Sequence, residues 1–183
     1  MIKLPAVDFK QDSHCSYCGS KFVEQVAWPR KCFICWNESY KNPLPVVVVL
    51  IAVRKSIPVK NVLITDLLVQ KRGIMPGKGQ WALPSGYINY KETFQQAAVR
   101  EMKEEIYLDS KEEDYELFDV CSSVGGNLLI FATYNKTLHS IEELKFIPNE
   151  EVLDIKTISV PEQLAFPTHT EQVERYFMYQ AGP

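Results

Sequence analysis

No apolar run in this 183-residue chain is long enough to cross a bilayer; the longest, Val46 to Val53, suits a buried strand instead. The opening Met-Ile-Lys-Leu-Pro lacks the charged-then-apolar layout of a secretory leader. A cytoplasmic location with no membrane partner is therefore expected. A strongly basic footprint is also missing: 20 Lys and Arg stand against 23 Asp and Glu, a net charge of −3. The balance is +2 over residues 1–45 and −5 over residues 46–183, which argues against nucleic acid as a partner. The acidic excess suits a protein that gathers divalent cations, and equally a solvated acidic surface. There is no internal repeat and no low-complexity tract. With 46% hydrophobic and 23% charged residues, the composition is that of an ordinary globular domain plus a small appendage.

What is present begins with cysteine. Cys15, Cys18, Cys32 and Cys35 form a CxxC…CxxC pattern with thirteen residues between the pairs, while Cys121 stands alone in a predicted strand and reads as a small buried hydrophobe. In a reducing compartment, metal binding is favoured over disulfides. Four thiolates at tetrahedral positions close a structural zinc site, and a segment with so few apolar residues depends on that metal to fold. His14 beside the first pair reads as a solvent-facing neighbour. Asn42-Pro43-Leu44-Pro45 punctuates the chain, so the expected division is a zinc ribbon over residues 1–42 and a larger domain over 43–183.

In the larger part, strands are expected at Val46–Val53, about Val59 to Gln70, Tyr115–Ser122, Asn127–Tyr134 and Val152–Ile158. Helices are expected from Glu92–Thr93 to about Ile106 and from Thr170 to Tyr179, with the glycine- and proline-rich stretch Gly73–Gly86 as loop and one short strand. This mixture predicts an α/β layered domain.

The segment Arg100-Glu101-Met102-Lys103-Glu104-Glu105 puts three carboxylates on one helical face, Glu101 and Glu105 only about 40° apart. Like charges at that spacing destabilise a bare helix, and a divalent cation between them reverses the sign. The same spacing also fits an exposed acidic helix. Phe94, Ala98, Met102 and Ile106 follow a separate apolar stripe that can pack on a sheet.

Upstream residues extend the pattern to Gly86-x5-Glu92-x7-Arg100-Glu101-Met102-x-Glu104-Glu105-x-Tyr107-Leu108. This resembles the Nudix box, the loop–helix motif of the Nudix hydrolases. Six fixed identities match, a coincidence expected about once in 10⁵ chains of this length. Tyr107 stands where the family has Gly, in a left-handed position costing a side chain about 1 kcal/mol, so the helix is expected to end differently here. Ser85 also stands where the commonest family form has Gly.

The resemblance implies a Nudix fold, an α/β/α sandwich with a mixed sheet, and Mg²⁺- or Mn²⁺-dependent hydrolysis of a nucleoside diphosphate linked to another group. It implies Glu101, Glu104, Glu105 and the Gly86 carbonyl as metal ligands, and an ion pair of Arg100 with Glu92. The general base falls to Glu101, Glu104 or a downstream acid. Glu151 and Asp154 resemble the family's acidic pair before a late strand, and equally ordinary surface acids. Zinc knuckles joined to such a domain resemble the zinc-ribbon Nudix pyrophosphatases of NADH, FAD or ADP-ribose, as does Gln163-Leu-Ala-Phe-Pro-Thr168. Cys121-Ser-Ser-Val-Gly-Gly-Asn127 lacks the prolines and aromatics of the NADH type, which moves ADP-ribose or FAD-like substrates ahead. Trp81, Tyr87, Tyr90 and Phe166 suit either core packing or stacking on a base, and Lys71 and Arg72 are candidates for phosphate. His139 and His169 carry no motif. Family members are often homodimers. The rival reading is a nucleotide-sensing or nucleic-acid- or protein-binding module without turnover.

Overall fold

The computed structural model describes residues 11–23, 27–54 and 65–181. The chain divides into two compact units, Met1–Pro43 and Leu44–Pro183.

In the first unit, β1 (Arg30–Lys31) pairs antiparallel with β2 (Glu38–Ser39), and His14 bridges to Lys21. The two CxxC segments fold as matching knuckles. Gly19 N–H donates to the Cys15 carbonyl at 3.0 Å, and Trp36 N–H to the Cys32 carbonyl at 2.9 Å. Each turn closes on a residue of positive φ, Gly19 in one and Trp36 in the other.

The second unit is built on β3 (Pro45–Arg54), whose valine-rich run is covered on both faces. Around it stand β4 (Thr65–Arg72), β5 (Trp81–Ala82), β6 (Ser85–Tyr87), β7 (Tyr115–Ser122), β8 (Leu128–Leu138) and β9 (Val152–Ile158). The sheet runs β5-β4-β3-β8-β7, with β6 also paired to β3 and β9 to β4. Among the described residues only β3 and β8 pair in parallel; the other pairings of this sheet are antiparallel, so it is mixed. Strand alternation splits β3 between two cores. Val47, Val49 and Ile51 pack with Ala97, Ala98, Met102 and Ile106 of α1 (Phe94–Ile106). On the other face Val48 and Leu50 pack with Phe131, Leu164 and Val173, the last from α2 (Pro167–Ala181). Each buried Val, Leu, Ile, Phe or Met among these contributes roughly 1.5–3 kcal/mol. The result is the expected α/β/α sandwich.

Differences from expectation are local. The glycine-rich stretch holds two short strands, β5 and β6, rather than one. The β8 strand runs on to Leu138 and α2 begins at Pro167, a residue suited to a first helical turn. Residues 59–64 of the second expected strand lie outside the described residues. Tyr107 corrects a further expectation: it takes the left-handed conformation (φ 61°, ψ 23°) that the family's glycine would supply. Its N–H and that of Leu108 both donate to the Met102 carbonyl, and its ring meets Phe146 edge-on at 6.4 Å. That contact offsets part of the strain.

The parallel pairing aligns the starts of β3 and β8 (Pro45 opposite Leu128), and the antiparallel neighbours bring the far ends of β4 and β7 to the same edge. The candidate site lies there.

Candidate active site

Helix α1 begins with a reciprocal cap: the Thr93 hydroxyl accepts from Gln96 N–H and the Gln96 side chain accepts from Thr93 N–H, each at 3.1 Å. Just before it, Glu92 accepts from Asn89 N–H at 2.8 Å and receives Arg100 through two bonds of 2.9 Å. Arg100 also donates to the Tyr87 carbonyl (2.9 Å) and to Glu101 (2.6 Å), and reaches Glu104 at 3.4 Å. One guanidinium thus ties the loop before the helix to the helix's own acidic face. The pair holds Glu92 below and Arg100 above their ordinary pKa values, chiefly through their shared hydrogen bonds.

Glu105, 6% exposed, points inward from α1. Its Oε2 accepts from the Gln70 side-chain amide at 2.8 Å and from Ser85 N–H at 3.1 Å. Burial pushes its pKa up to about 8 against those two bonds, and the Glu101 and Glu151 carboxylates add to the rise. Burial also raises Glu101, opposed by Arg100. Two glycines let these acids approach. A Cβ on Gly86 would stand 1.8 Å from Glu101 Cδ, and one on Gly73 would stand 2.0 Å from the Glu150 carbonyl oxygen. Gly73 N–H donates to the Glu151 carbonyl at 2.6 Å, and Asn149 Oδ1 accepts from Glu151 N–H at 2.9 Å, fixing that segment beside β4.

A cavity of about 540 Å³ opens at this edge of the sheet. Glu101, Glu104, Glu105, Glu151, Arg100 and Gly86 line it, as do Arg72, Tyr87, Phe166, His169, Val46 and Leu129 and residues of the turn Ser123–Asn127. Arg72 donates to the Pro76 carbonyl at 2.8 Å and lies over the Phe166 ring at 5.1 Å. These carboxylates and a backbone carbonyl offer only oxygen, the donor type that a hard divalent cation takes.

Trp81, a candidate for either core packing or stacking on a base, lies outside the cavity lining: its ring packs on the second core cluster beneath Lys156, 4.8 Å from the centroid. Tyr90 is 92% exposed beside Lys91, and neither Asp154 nor Lys71 lines the cavity. Glu92 stands behind it, holding Arg100. His139 is exposed, and Cys121 is partly buried against the second core, as a small hydrophobe would be. Three residues escaped the sequence reading. Gln70 is a lone amide in an apolar strand, a pattern that could have flagged it. Asn127 and His169 had only their positions next to a turn and a helix start.

Among the described residues the cysteines are the one group of three or more His, Cys, Asp or Glu side chains already gathered as metal ligands, their sulfurs all within 4.8 Å of one another. Cys15 and Cys35 Sγ are 3.7 Å apart, as are Cys18 and Cys32. A tetrahedral zinc with bonds of about 2.3 Å needs sulfurs about 3.8 Å apart, so the quartet fits that ion. The Ser20 hydroxyl and knuckle N–H groups lower Cys32 to about 6, and knuckle N–H groups lower Cys15. His14 instead bonds the Ser13 hydroxyl at 2.9 Å. Among the described residues no helix is long and apolar enough to cross a membrane.

No curated protein matches the chain by sequence. Solved structures do resemble it. A NUDIX hydrolase from Nitrosomonas europaea superposes with TM-score 0.60 at 23% identity, over 92% of each chain. The NUDIX domain of Shewanella oneidensis NrtR, complexed with ADP ribose, gives 0.59 at 18% identity, over 76% of this chain and 90% of that one. A bifunctional NMN adenylyltransferase/ADP ribose pyrophosphatase from Francisella tularensis, complexed with AMP and a manganese ion, gives 0.56 at 21% identity, over 77% and 43%. The NUDIX domain family model matches residues 45–178. By that match, and with the residues of the box gathered at one cavity, the chain belongs to the Nudix family of hydrolases.

Proposed function

We propose that the protein is a Mg²⁺- or Mn²⁺-dependent pyrophosphohydrolase that cleaves a nucleoside diphosphate linked to a second moiety, of the ADP-ribose type, into a nucleoside monophosphate and a phosphorylated remainder. The observation that carries this reading is that Glu101, Glu104, Glu105 and Glu151 line one cavity together with Arg72 and Phe166. Glu101, Glu104, Glu105 and the Gly86 carbonyl would hold the metal, with the Cys15, Cys18, Cys32 and Cys35 quartet holding a structural zinc. Bound there, the divalent ion neutralises the phosphate charge and makes water a competent nucleophile. Arg100 keeps the Glu101 carboxylate facing Gly86 before metal arrives. Glu105 offers one oxygen, because Gln70 and Ser85 already occupy the other. Glu151, held by Gly73 and Asn149 but free at its carboxylate end to face the acids, is the candidate to take a proton from the attacking water. Arg72 supplies a planar cation for the diphosphate.

The substrate class is supported by the ADP ribose bound to the NrtR domain and by the AMP and manganese in the Francisella enzyme. The test is product analysis of the zinc-loaded protein with Mg²⁺ against ADP-ribose, FAD, NADH, dinucleoside polyphosphates, dNTPs and capped RNA. Release of AMP from ADP-ribose, lost in Glu105→Gln with the fold intact, is expected. Binding of ADP-ribose without turnover, with either metal, would replace the enzyme by a nucleotide sensor.

A further inference from the structure

His169 is the buried titratable group that the acid chemistry leaves unused. It is 3% exposed, in the first turn of α2, and its ring borders the cavity. Nδ1 accepts a hydrogen bond from Leu83 N–H at 3.2 Å, so this nitrogen carries no proton. Phe166 and Phe131 flank the ring edge-on at 4.9 and 5.8 Å and fix its orientation. Burial, helped by the Arg72 charge, pulls its pKa down to about 3, which keeps the imidazole neutral throughout the physiological range. A neutral ring with Nδ1 bare bears its proton on Nε2. Among the described residues none accepts from Nε2, and the sealed polar atoms without partners are Asp66 Oδ1 and Gln70 Oε1 only. Nε2–H therefore opens on the cavity that the ring lines.

We infer that His169 is a specificity-determining residue whose Nε2–H donates a hydrogen bond to a ring nitrogen of the substrate's nucleobase. The inference rests on the proposed function only in taking the cavity as a nucleotide site. Its direction comes from the surroundings of the donor. His169 lines the cavity with its ring 4.9 Å from that of Phe166, and Leu129 and Val46 belong to the same lining, a flat and apolar setting for a heterocycle. A tautomer locked by Leu83 can donate and cannot accept. It thereby favours a base with a bare ring nitrogen and leaves its own buried donor unpaired against a base without one.

The experiment is calorimetric titration of the zinc-loaded full chain, with Ca²⁺ present, using AMP, GMP, CMP and UMP, and then the deaza analogues of whichever binds most tightly. Binding needs no turnover, so a hydrolysis panel that fails sinks the enzyme and leaves this assignment to be judged separately. Wild type is expected to bind one deaza analogue about tenfold more weakly than its parent. His169→Phe should bind the two equally. His169→Gln, which can accept from Leu83 and still donate, should restore part of the discrimination. If the Phe variant fails to fold, the wild-type deaza series and the Gln variant carry the test. Deaza analogues binding wild type within twofold of the parent, or discrimination persisting in His169→Phe, would overturn the inference. So would failure of all four monophosphates to bind, or an equal loss for every nucleotide in the Phe variant, which would move the donor to phosphate or ribose.

Discussion

Glu105 gives the sharpest quantitative handle on the site. Its pKa rises from 4.5 to about 8 because ionising it places charge inside the sheet–helix interface beside Glu101 and Glu151. At 1.36 kcal/mol per pH unit, that difference makes ionisation of Glu105 in the folded state cost on the order of 5 kcal/mol. A carboxyl whose folded pKa is raised supports the fold fully below its unfolded value. That support is then lost as pH climbs from about 4.5 through 8. Glu105→Gln removes the titration while keeping an oxygen for Gln70 and Ser85. Urea denaturation of protein free of Mg²⁺ and Mn²⁺, with the ribbon zinc-loaded, should give similar midpoints for wild type and variant near pH 5. At pH 9 the variant midpoint should be higher by about 2 M, for a slope of 1–3 kcal/mol per M. Mg²⁺ or Mn²⁺ should close that gap by raising the wild type alone, since cation binding to the folded form adds stability by mass action. A pH-independent difference, or a variant weaker than wild type at pH 9, would refute the account of Glu105 as a buried acid awaiting a cation.

Gly86→Ala should leave the urea midpoint nearly unchanged, because the atoms its Cβ meets end a flexible side chain. Turnover should nonetheless fall on the order of 10²-fold as Glu101 is displaced. Gly73→Ala meets backbone instead, and should cost about 1–3 kcal/mol in denaturation as well as activity. Gln70→Leu should raise the Mg²⁺ concentration needed for half-maximal rate, read from a metal titration of kcat. Zinc chelation should abolish amide protection around Cys15–Cys35 in hydrogen exchange while protection in β3 and β8 survives.

The sequence carried the sandwich because its signals are local and redundant. Val46–Val53 has no polar residue, so it had to be a strand covered on both faces, and α1 announced itself through the box and its apolar stripe. Boundaries were blurred where tertiary contacts decide: β8 continues past Tyr134 because β3 still runs beside it up to Leu138. Tyr107 shows the opposite limit, since a residue unsuited to left-handed backbone adopts it once two N–H groups converge on Met102. At the site, the glutamates were legible because their spacing is a motif within thirty residues. Trp81 packs in the core and His169 lines the cavity for a reason no spacing encodes: which face each ring takes depends on strands and helices brought together from distant parts of the chain.

The parallel pairing of β3 with β8 also bears on how the molecule comes into being. Its partners are separated by more than seventy residues, and the cavity draws on Arg72, Gly86, the α1 acids, the Ser123–Asn127 turn, Glu151 and His169. Contacts so far apart along the chain are costly to close and slow to form. The α1 acids alone can be gathered early, by α1 docking on the β3–β4 pair. The rest of the lining waits for α2, which follows the other elements of the cavity along the chain. A growing chain thus holds a mutually repelling set of carboxylates before it holds the complete cavity, and a free divalent cation is the natural counterweight during that interval.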